Sequence, residues 1–373
     1  MEQVAVGWLV FELTGSPFMV GVAAAARMAP FFFLGIFSGA IADWLDRRTL
    51  LLFSTVGGLL VSSVMAIMLL SGVTHVWAIT GLVAASGCVF AFVLTTRQAY
   101  TVDIVGQQHS LNGLSLGAIA MQVGGVVGSI ISGTLIHIVG PGWQYVAIGI
   151  AYGVSAAVLL GASKTGHVNS PRREPVMANL TGYLHLMGSN RTLLTLMMLA
   201  SITEVFGFTH MTLLPVFAKE VLGVGAIGLG FMTAVRQGGA LIGLLFLANL
   251  GNFHSKGLLM FGIAFGFGAA MMLFYWASNL LVFLFVLAVV NAFAMAVDTL
   301  YKTLMQENVS DEQRGRAMGS WVFSIGVAPV GHLGVGGLAA ILGAPGALLV
   351  NGTVLSIVSL ATMIGFPRIR KLP

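Results

Sequence analysis

Long, uninterrupted apolar runs dominate this sequence, for example LLVFLFVLAVVNAFAMAV at 280–297. About 20 consecutive apolar residues are enough to cross a lipid bilayer as a helix, whose backbone hydrogen bonds are all internal. Only 8% of the residues are charged, whereas soluble domains have about 25%. A transmembrane barrel would instead show short segments of alternating polarity. The sequence therefore predicts an all-α polytopic membrane protein.

Turn residues and charges divide the chain into twelve apolar runs. The first run has thirteen residues, which rise about 20 Å as a helix against a hydrocarbon core of about 30 Å. We therefore expect the first helix to be incomplete in this sequence, because it is broken or because its N-terminal part is missing. The runs cover roughly 1–13, 17–42, 49–71, 75–97, 109–138, 142–162, 191–217, 224–249, 256–276, 279–303, 314–341 and 345–366.

The basic residues fix the predicted orientation. If the link between the second and third runs is cytoplasmic, 14 of the 17 Lys and Arg residues lie on that side, as the positive-inside rule requires. The net charge of +5 is thereby explained without nucleic-acid binding. We expect a multi-pass protein of a bacterial inner or plasma membrane.

One polar segment, 163–190, separates the runs into two groups of six, and its Pro, Ser and Asn content is typical of a linker. The predicted units are an N-terminal six-helix bundle at 1–162, a cytoplasmic linker at 163–190 and a C-terminal six-helix bundle at 191–373.

The two groups also resemble each other. Equivalent residues recur at nearly constant offsets, which is the pattern of the parallel repeats found in secondary transporters. The matching pairs are Arg27 with Arg236, Asp43 with Asn252 and Arg47 with Lys256 at an offset of 209, and Asp103 with Glu307 at 204.

Three stretches resemble the major facilitator superfamily, in particular its drug-efflux branch with the macrolide exporters and the enterobactin exporter. They are WLVFELTGSP with ARMAPFFFLGIFSGAIADWLDRR, then RQAYTVDIVGQQHSLNG, and RGRAMGSWVFSIGVAPVG. The resemblance implies the major-facilitator fold, two six-helix bundles in pseudo-twofold relation. It also implies that the N-terminal part of helix 1 is absent from the sequence.

The stretch GAIADWLDRR resembles the superfamily's signature in the loop between helices 2 and 3. The resemblance implies a cytoplasmic latch, in which Gly39 allows close helix contact and Asp43 faces the N-terminus of helix 11. Arg47 and Arg48 are predicted to pair with Asp43, Asp46 or lipid phosphates. The alternative is that the two arginines only anchor the topology.

A second stretch, GGVVGSIISG, resembles the antiporter signature of helix 5. Gly124, Gly128 and Gly133 match its glycines. The resemblance points to export coupled to protons. Generic packing of small residues is an equally good explanation.

Ionisable residues within the apolar runs are costly, so each is a candidate functional residue. Glu204 lies near half depth in the seventh run, which lines the central cavity in the resembling family, and it is our first candidate for proton coupling. Alternatively it is a structural hydrogen-bonding group. Asp298 and Lys302 stand four apart and are predicted to pair along one helix face, either lining the inner cavity or anchoring the cytoplasmic helix end.

Arg27 and Arg236 occupy equivalent positions in the second and eighth runs. We expect them to pair with Glu12 and Glu220 as contacts of an outer gate. The alternative is that both side chains extend to the outer headgroups.

The sequence as a whole favours a secondary active transporter that exports small amphipathic or hydrophobic compounds by proton-coupled alternating access, acting as a monomer in the lipid bilayer. No Walker motif, catalytic motif or metal-ligand spacing is visible, so an enzyme, a metal site and a cofactor are not expected. The alternatives are a non-functional truncated remnant and a membrane enzyme or scaffold.

Overall fold

The computed structural model describes residues 1–44, 46–162, 187–251, 253–310 and 313–372. Within these ranges all regular structure is helical and no strand occurs. The side chains of 32, 33, 35–44, 95, 107, 111 and 314–316 are not described. The predicted linker at 163–190 therefore lies almost wholly outside the described residues, and the contacts predicted for Gly39 and Asp43 also fall outside what is described.

Twelve long helical segments run through the described residues, one for each predicted apolar run. Their bounds are α1 Glu2–Thr14, α2 Pro17–Trp44, α3 Arg47–Leu70, α4 Val76–Val105, α5 110–139, α6 141–161, α7 Arg191–Val221, α8 Gly225–Leu250, α9 Lys256–Tyr275, α10 Leu280–Glu307, α11 314–342 with a turn at Val327, and α12 344–365. A 3₁₀ turn, Gln107–His109, joins α4 to α5, and a last short helix, α13, covers Pro367–Arg370.

Two of the connections are single glycines. Gly140, with φ 86°, separates α5 from α6, and Gly343, with φ 73°, separates α11 from α12. Only glycine adopts such backbone angles without strain. Pro141 and Pro345 follow the two breaks and suit the first turn of a new helix. The twelve predicted runs are thus confirmed as twelve helices.

The seventh helix changes its winding along its length. It is α-helical to Phe206, 3₁₀-helical over Phe208–Leu213 and π-helical over Phe217–Val221. A Cβ added to Gly207 would lie 2.5 Å from the ring of Phe267, so only glycine fits at the first change. Departures from regular winding in the middle of a helix often mark functional hinges.

Two glycine crossings join the first six helices to the last six. In one, a Cβ on Gly21 of α2 would lie 3.2 Å from the Cα of Gly336 in α11; in the other, a Cβ on Gly133 of α5 would lie 3.0 Å from the Cα of Gly230 in α8. Gly21 and Gly230 are 209 residues apart in the sequence. The crossings are therefore equivalent, and both lie near the outer ends of α2 and α8.

The glycines of the predicted helix-5 signature differ in what they contact. A Cβ on Gly133 would meet the backbone of α8, one on Gly128 would lie 3.2 Å from the Met1 side chain, and Gly124 has no such neighbour within 4 Å. Close helix packing thus explains Gly133, but it gives no reason for a glycine at 124.

Candidate functional site

A small cavity lies where the two groups of helices meet, and its volume is about 60 Å³. Residues of α1, α2, α7, α8 and α11 line it, and most of the wall is apolar. Its polar lining consists of Gln3, Arg27, Thr212, Thr233, Arg236 and His332. Arg27 lies ten residues into α2, or about 15 Å, which places the cavity near mid-depth of a core of about 30 Å.

Arg27 forms an ion pair within the first hairpin. Its Nη2 lies 3.4 Å from Oε2 of Glu2, with 16% of each side chain exposed. The prediction that Arg27 pairs with Glu12 is therefore wrong. Glu12 is exposed two residues before the end of α1, whereas Glu2 lies about 18 Å down α1 and matches the depth of Arg27 in the antiparallel neighbour.

Arg236 occupies the equivalent place in α8 but has different partners. Its Nη2 donates to Oε1 of Gln3 over 3.1 Å, and its Nη1 lies 3.9 Å from the sulfur of Met211. The predicted pairing with Glu220 is also wrong, because Glu220 is exposed at the outer end of α7. Among the described side chains, no carboxylate pairs with Arg236.

A second charged cluster lies between α7, α10 and α11. Lys302 Nζ is 2.7 Å from Asp298 Oδ2, which confirms the predicted pairing. Trp321 Nε1 donates to Asp298 Oδ1 over 2.7 Å, and its ring lies 4.0 Å below the ammonium of Lys302. Glu204 is half-buried, and the charges that act on it are those of Asp298 and Lys302. It forms no hydrogen bond with a described residue.

Two histidines take part in a buried polar network around the 3₁₀ segment of α7. His210 contacts the carbonyl oxygen of Gly207 at 2.8 Å and the amide of Asn291 at 3.3 Å. His332 of α11 lies 2.7 Å from the hydroxyl of Thr212. Both imidazoles are fully or almost fully buried, and their contacts link α7 to α10 and α11.

Arg47 and Arg48, at the cytoplasmic end of α3, both have partners in the first half. Arg47 Nη1 lies 2.7 Å from Asp103 Oδ1 in α4, a partner that the sequence analysis did not name. Arg48 donates to the carbonyl oxygens of Leu159 and Leu160 at the end of α6. Asp46 caps α3 by accepting a hydrogen bond from the backbone N–H of Thr49.

The second half repeats the first of these contacts. Lys256 Nζ lies 2.5 Å from Glu307 Oε1. The offsets found in the sequence pair Arg47 with Lys256 and Asp103 with Glu307, so the two ion pairs are equivalent. Those offsets were the signal from which the Arg47–Asp103 pair could have been predicted.

The sequence analysis missed Gln3, Met211 and Trp321. Neither Gln3 nor Met211 stands out in the sequence as a candidate functional residue. They contact Arg236 because they lie at the same depth along their helices. Glu2 and Met211 are also 209 residues apart, so Met211 stands where the first half has an acid.

Comparison with known proteins gives consistent results. The family model described as transmembrane secretion effector matches residues 1–371. The chain is 22% identical over 336 residues to the staphyloferrin A transporter of Staphylococcus aureus, which covers 89% of this chain and 83% of that protein. It is 24% identical over 348 residues to the enterobactin exporter EntS of Escherichia coli, covering 89% of this chain and 80% of that one.

Solved structures show the same fold. A mutant of the nucleoside transporter NupG superposes with a TM-score of 0.80 at 13% identity, covering 97% of this chain and 94% of that one. An inward-facing bacterial homologue of the lysosomal transporter Spinster gives 0.72 at 15% identity, with coverages of 99% and 94%.

Proposed function

The chain belongs to the transmembrane secretion effector family of the major facilitator superfamily, and on that premise we propose that it exports a small amphipathic or hydrophobic compound in exchange for protons. It is a multi-pass membrane transporter and not an enzyme. Transport proceeds by alternating access, in which the bundles at 1–162 and 191–373 rock about the central cavity while the linker at 163–190 joins them. The transporter works as a monomer.

The charged cluster at Glu204 carries the proposal of proton coupling. Lys302 pairs with Asp298, and Glu204 is a second carboxylate within the electrostatic range of both groups. One added proton makes this cluster neutral, and Glu204, which has no hydrogen-bonding partner among the described residues, is the group most ready to take it. Loss and gain of that proton change the net charge that must be buried when the cavity closes.

The glycine crossings support the proposed movement. They join the two halves near the outer side, at Gly21–Gly336 and Gly133–Gly230, and an outward-open state has to separate them. The cytoplasmic latch of Gly39, Asp43, Asp46, Arg47 and Arg48 is proposed to close the opposite side in that state.

The experiment uses the purified chain in proteoliposomes with an imposed proton gradient. The probes are two fluorescent xanthene dyes of similar size, anionic carboxyfluorescein and cationic rhodamine 6G. We expect at least one dye to move in the direction opposite to the proton flow. Glu204→Gln is expected to abolish gradient-driven movement, while dye exchange without a gradient persists because the cavity is intact.

Glu220→Gln is the matched control, since it makes the same chemical change at the exposed outer end of the same helix. It should transport normally. Dye movement that ignores the gradient, or a Glu204→Gln variant that remains fully coupled, would remove the proton-coupling proposal. If neither dye moves, the export proposal itself fails.

A further inference from the structure

Among the described side chains, the central cavity has two arginines but a counterion for only one of them. Glu2 pairs with Arg27, whereas Arg236 contacts the neutral groups of Gln3 and Met211. An unpaired charge at mid-depth is expensive, and such residues are usually kept because they bind a substrate or an ion. The described side chains thus leave the cavity one positive charge in excess.

Both guanidinium groups also have unused donors. The Nε atoms of Arg27 and Arg236 are buried and have no hydrogen-bond partner among the described residues. Buried donors are rarely left without a partner. The two side chains line the same cavity, and each lies within the electrostatic field of the other. Two guanidinium groups that line one cavity supply N–H donors and a net positive field, and this combination matches an oxyanion.

The remaining lining fits an organic molecule rather than an inorganic anion. Val4, Val6, Val20 and Leu229 form apolar walls around the arginines. The volume of about 60 Å³ exceeds the roughly 30 Å³ that one water occupies in the liquid, so a carboxylate fits beside the arginines. A larger apolar body would have to be accommodated when the halves separate.

We infer that Arg27 and Arg236 together bind the carboxylate of the exported compound, so that the substrate class is an amphipathic organic acid. The inference rests on the proposed export function and specifies its substrate. Arg236 contributes the uncompensated charge, and Arg27 contributes a second N–H donor while Glu2 offsets its charge.

The test measures binding of carboxyfluorescein to the purified full chain by fluorescence polarisation, with benzoate and its neutral analogue benzamide as competitors. Benzoate should displace the dye and benzamide should not. Arg236→Gln is expected to weaken binding about 10- to 100-fold, which is the range of a hydrogen-bonded charge. Arg236→Lys should show an intermediate loss, because it keeps the charge but not the planar fork.

Met211→Glu is the sharper variant, because it places an acid where the first half has Glu2. The new carboxylate should neutralise Arg236 and weaken carboxyfluorescein binding about as much as Arg236→Gln. Met211→Gln, of the same size but uncharged, should lose only a few-fold. Equal losses in the two Met211 variants would show that the effect is steric and would overturn the inference.

Rhodamine 6G separates this inference from the export proposal. Movement of rhodamine 6G in proteoliposomes, together with carboxyfluorescein binding that the Arg236 variants do not change, would leave export standing and overturn the carboxylate site. In the Met211→Glu variant, a thermal unfolding midpoint near that of the wild type establishes that the chain has folded. If that variant unfolds early, Arg236→Lys decides the question.

Discussion

The two halves of the transporter agree at their cytoplasmic ends and differ at mid-membrane. Arg47–Asp103 and Lys256–Glu307 are equivalent ion pairs, and the two glycine crossings are equivalent as well. At the cavity, however, Arg27 has an acid and Arg236 has Met211 in its place. The repeated contacts are those that hold helices together in either half, whereas the charges that face the cavity have diverged.

The charges of the second half show the same division. Glu204, Asp298 and Lys302 form a cluster beside α11, and the residue 204 positions before Asp298 is Leu94. One half thus carries the candidate coupling acids, and Arg236, which has no acidic partner among the described side chains, also belongs to it. A duplicated scaffold can keep its packing while one copy acquires the ionisable groups, because packing and buried charge depend on different positions.

The largest effect is expected when either of the two equivalent glycine crossings is disrupted. In Gly133→Ala, the new Cβ would lie 2.5 Å from the carbonyl oxygen of Ala226, and in Gly21→Ala it would lie 2.5 Å from that of His332. A backbone carbonyl group cannot move aside as a flexible side chain can. Each variant should therefore lose about 1–3 kcal/mol of unfolding free energy, and it should also lose most dye transport. Thermal unfolding in detergent and the proteoliposome assay measure the two losses.

Gly124→Ala is the control from the same signature, since nothing lies within 4 Å of the added Cβ. It should retain stability or gain up to about 1 kcal/mol, because alanine favours the helix more than glycine does. A loss at Gly124 equal to that at Gly133 would show that the signature acts through something other than close packing.

The positions of the helices were largely predictable because each apolar run ends at Gly, Pro, Asn or a charge. The change of winding in α7 was not predictable, because Gly207 and Pro215 stand inside one continuous apolar stretch and leave its hydropathy unchanged. The partners of Arg27 and Arg236 were misassigned for another reason. Residues in antiparallel helices meet at equal distance from the turn, and Glu12 and Glu220 lie beside the turn while the arginines lie far from it.

A smaller effect is expected when one of the cytoplasmic ion pairs is removed. It tests whether the two equivalent pairs contribute equally to stability. Asp103 is 8% exposed in its side chain, whereas Glu307 is 41% exposed. Asp103→Asn should therefore lower the unfolding free energy by about 1–2 kcal/mol, and Glu307→Gln by less than about 1 kcal/mol. Thermal unfolding measures both.

A double-mutant cycle of Arg47→Gln with Asp103→Asn separates the pair from its surroundings. A coupling energy near zero would mean that Asp103 matters through contacts other than Arg47. Raising the salt concentration should reduce the effect at Glu307 more than that at Asp103, because screening acts on exposed charges.

The smallest expected effect comes from giving the first half the residue of the second. Glu2→Met removes the counterion of Arg27, so that both arginines lack an acid, and carboxyfluorescein should bind more tightly by a few-fold, as expected when a charged hydrogen bond is freed for the ligand. The same change leaves a second charge unpaired near mid-depth, so the unfolding temperature should fall. Glu12→Met, at the exposed end of α1, should change neither quantity. Tighter binding together with lower stability is the combination that a positioned counterion predicts. If Glu2→Met weakened both binding and stability, Glu2 would be part of the ligand site itself, and the difference between the halves would need another explanation.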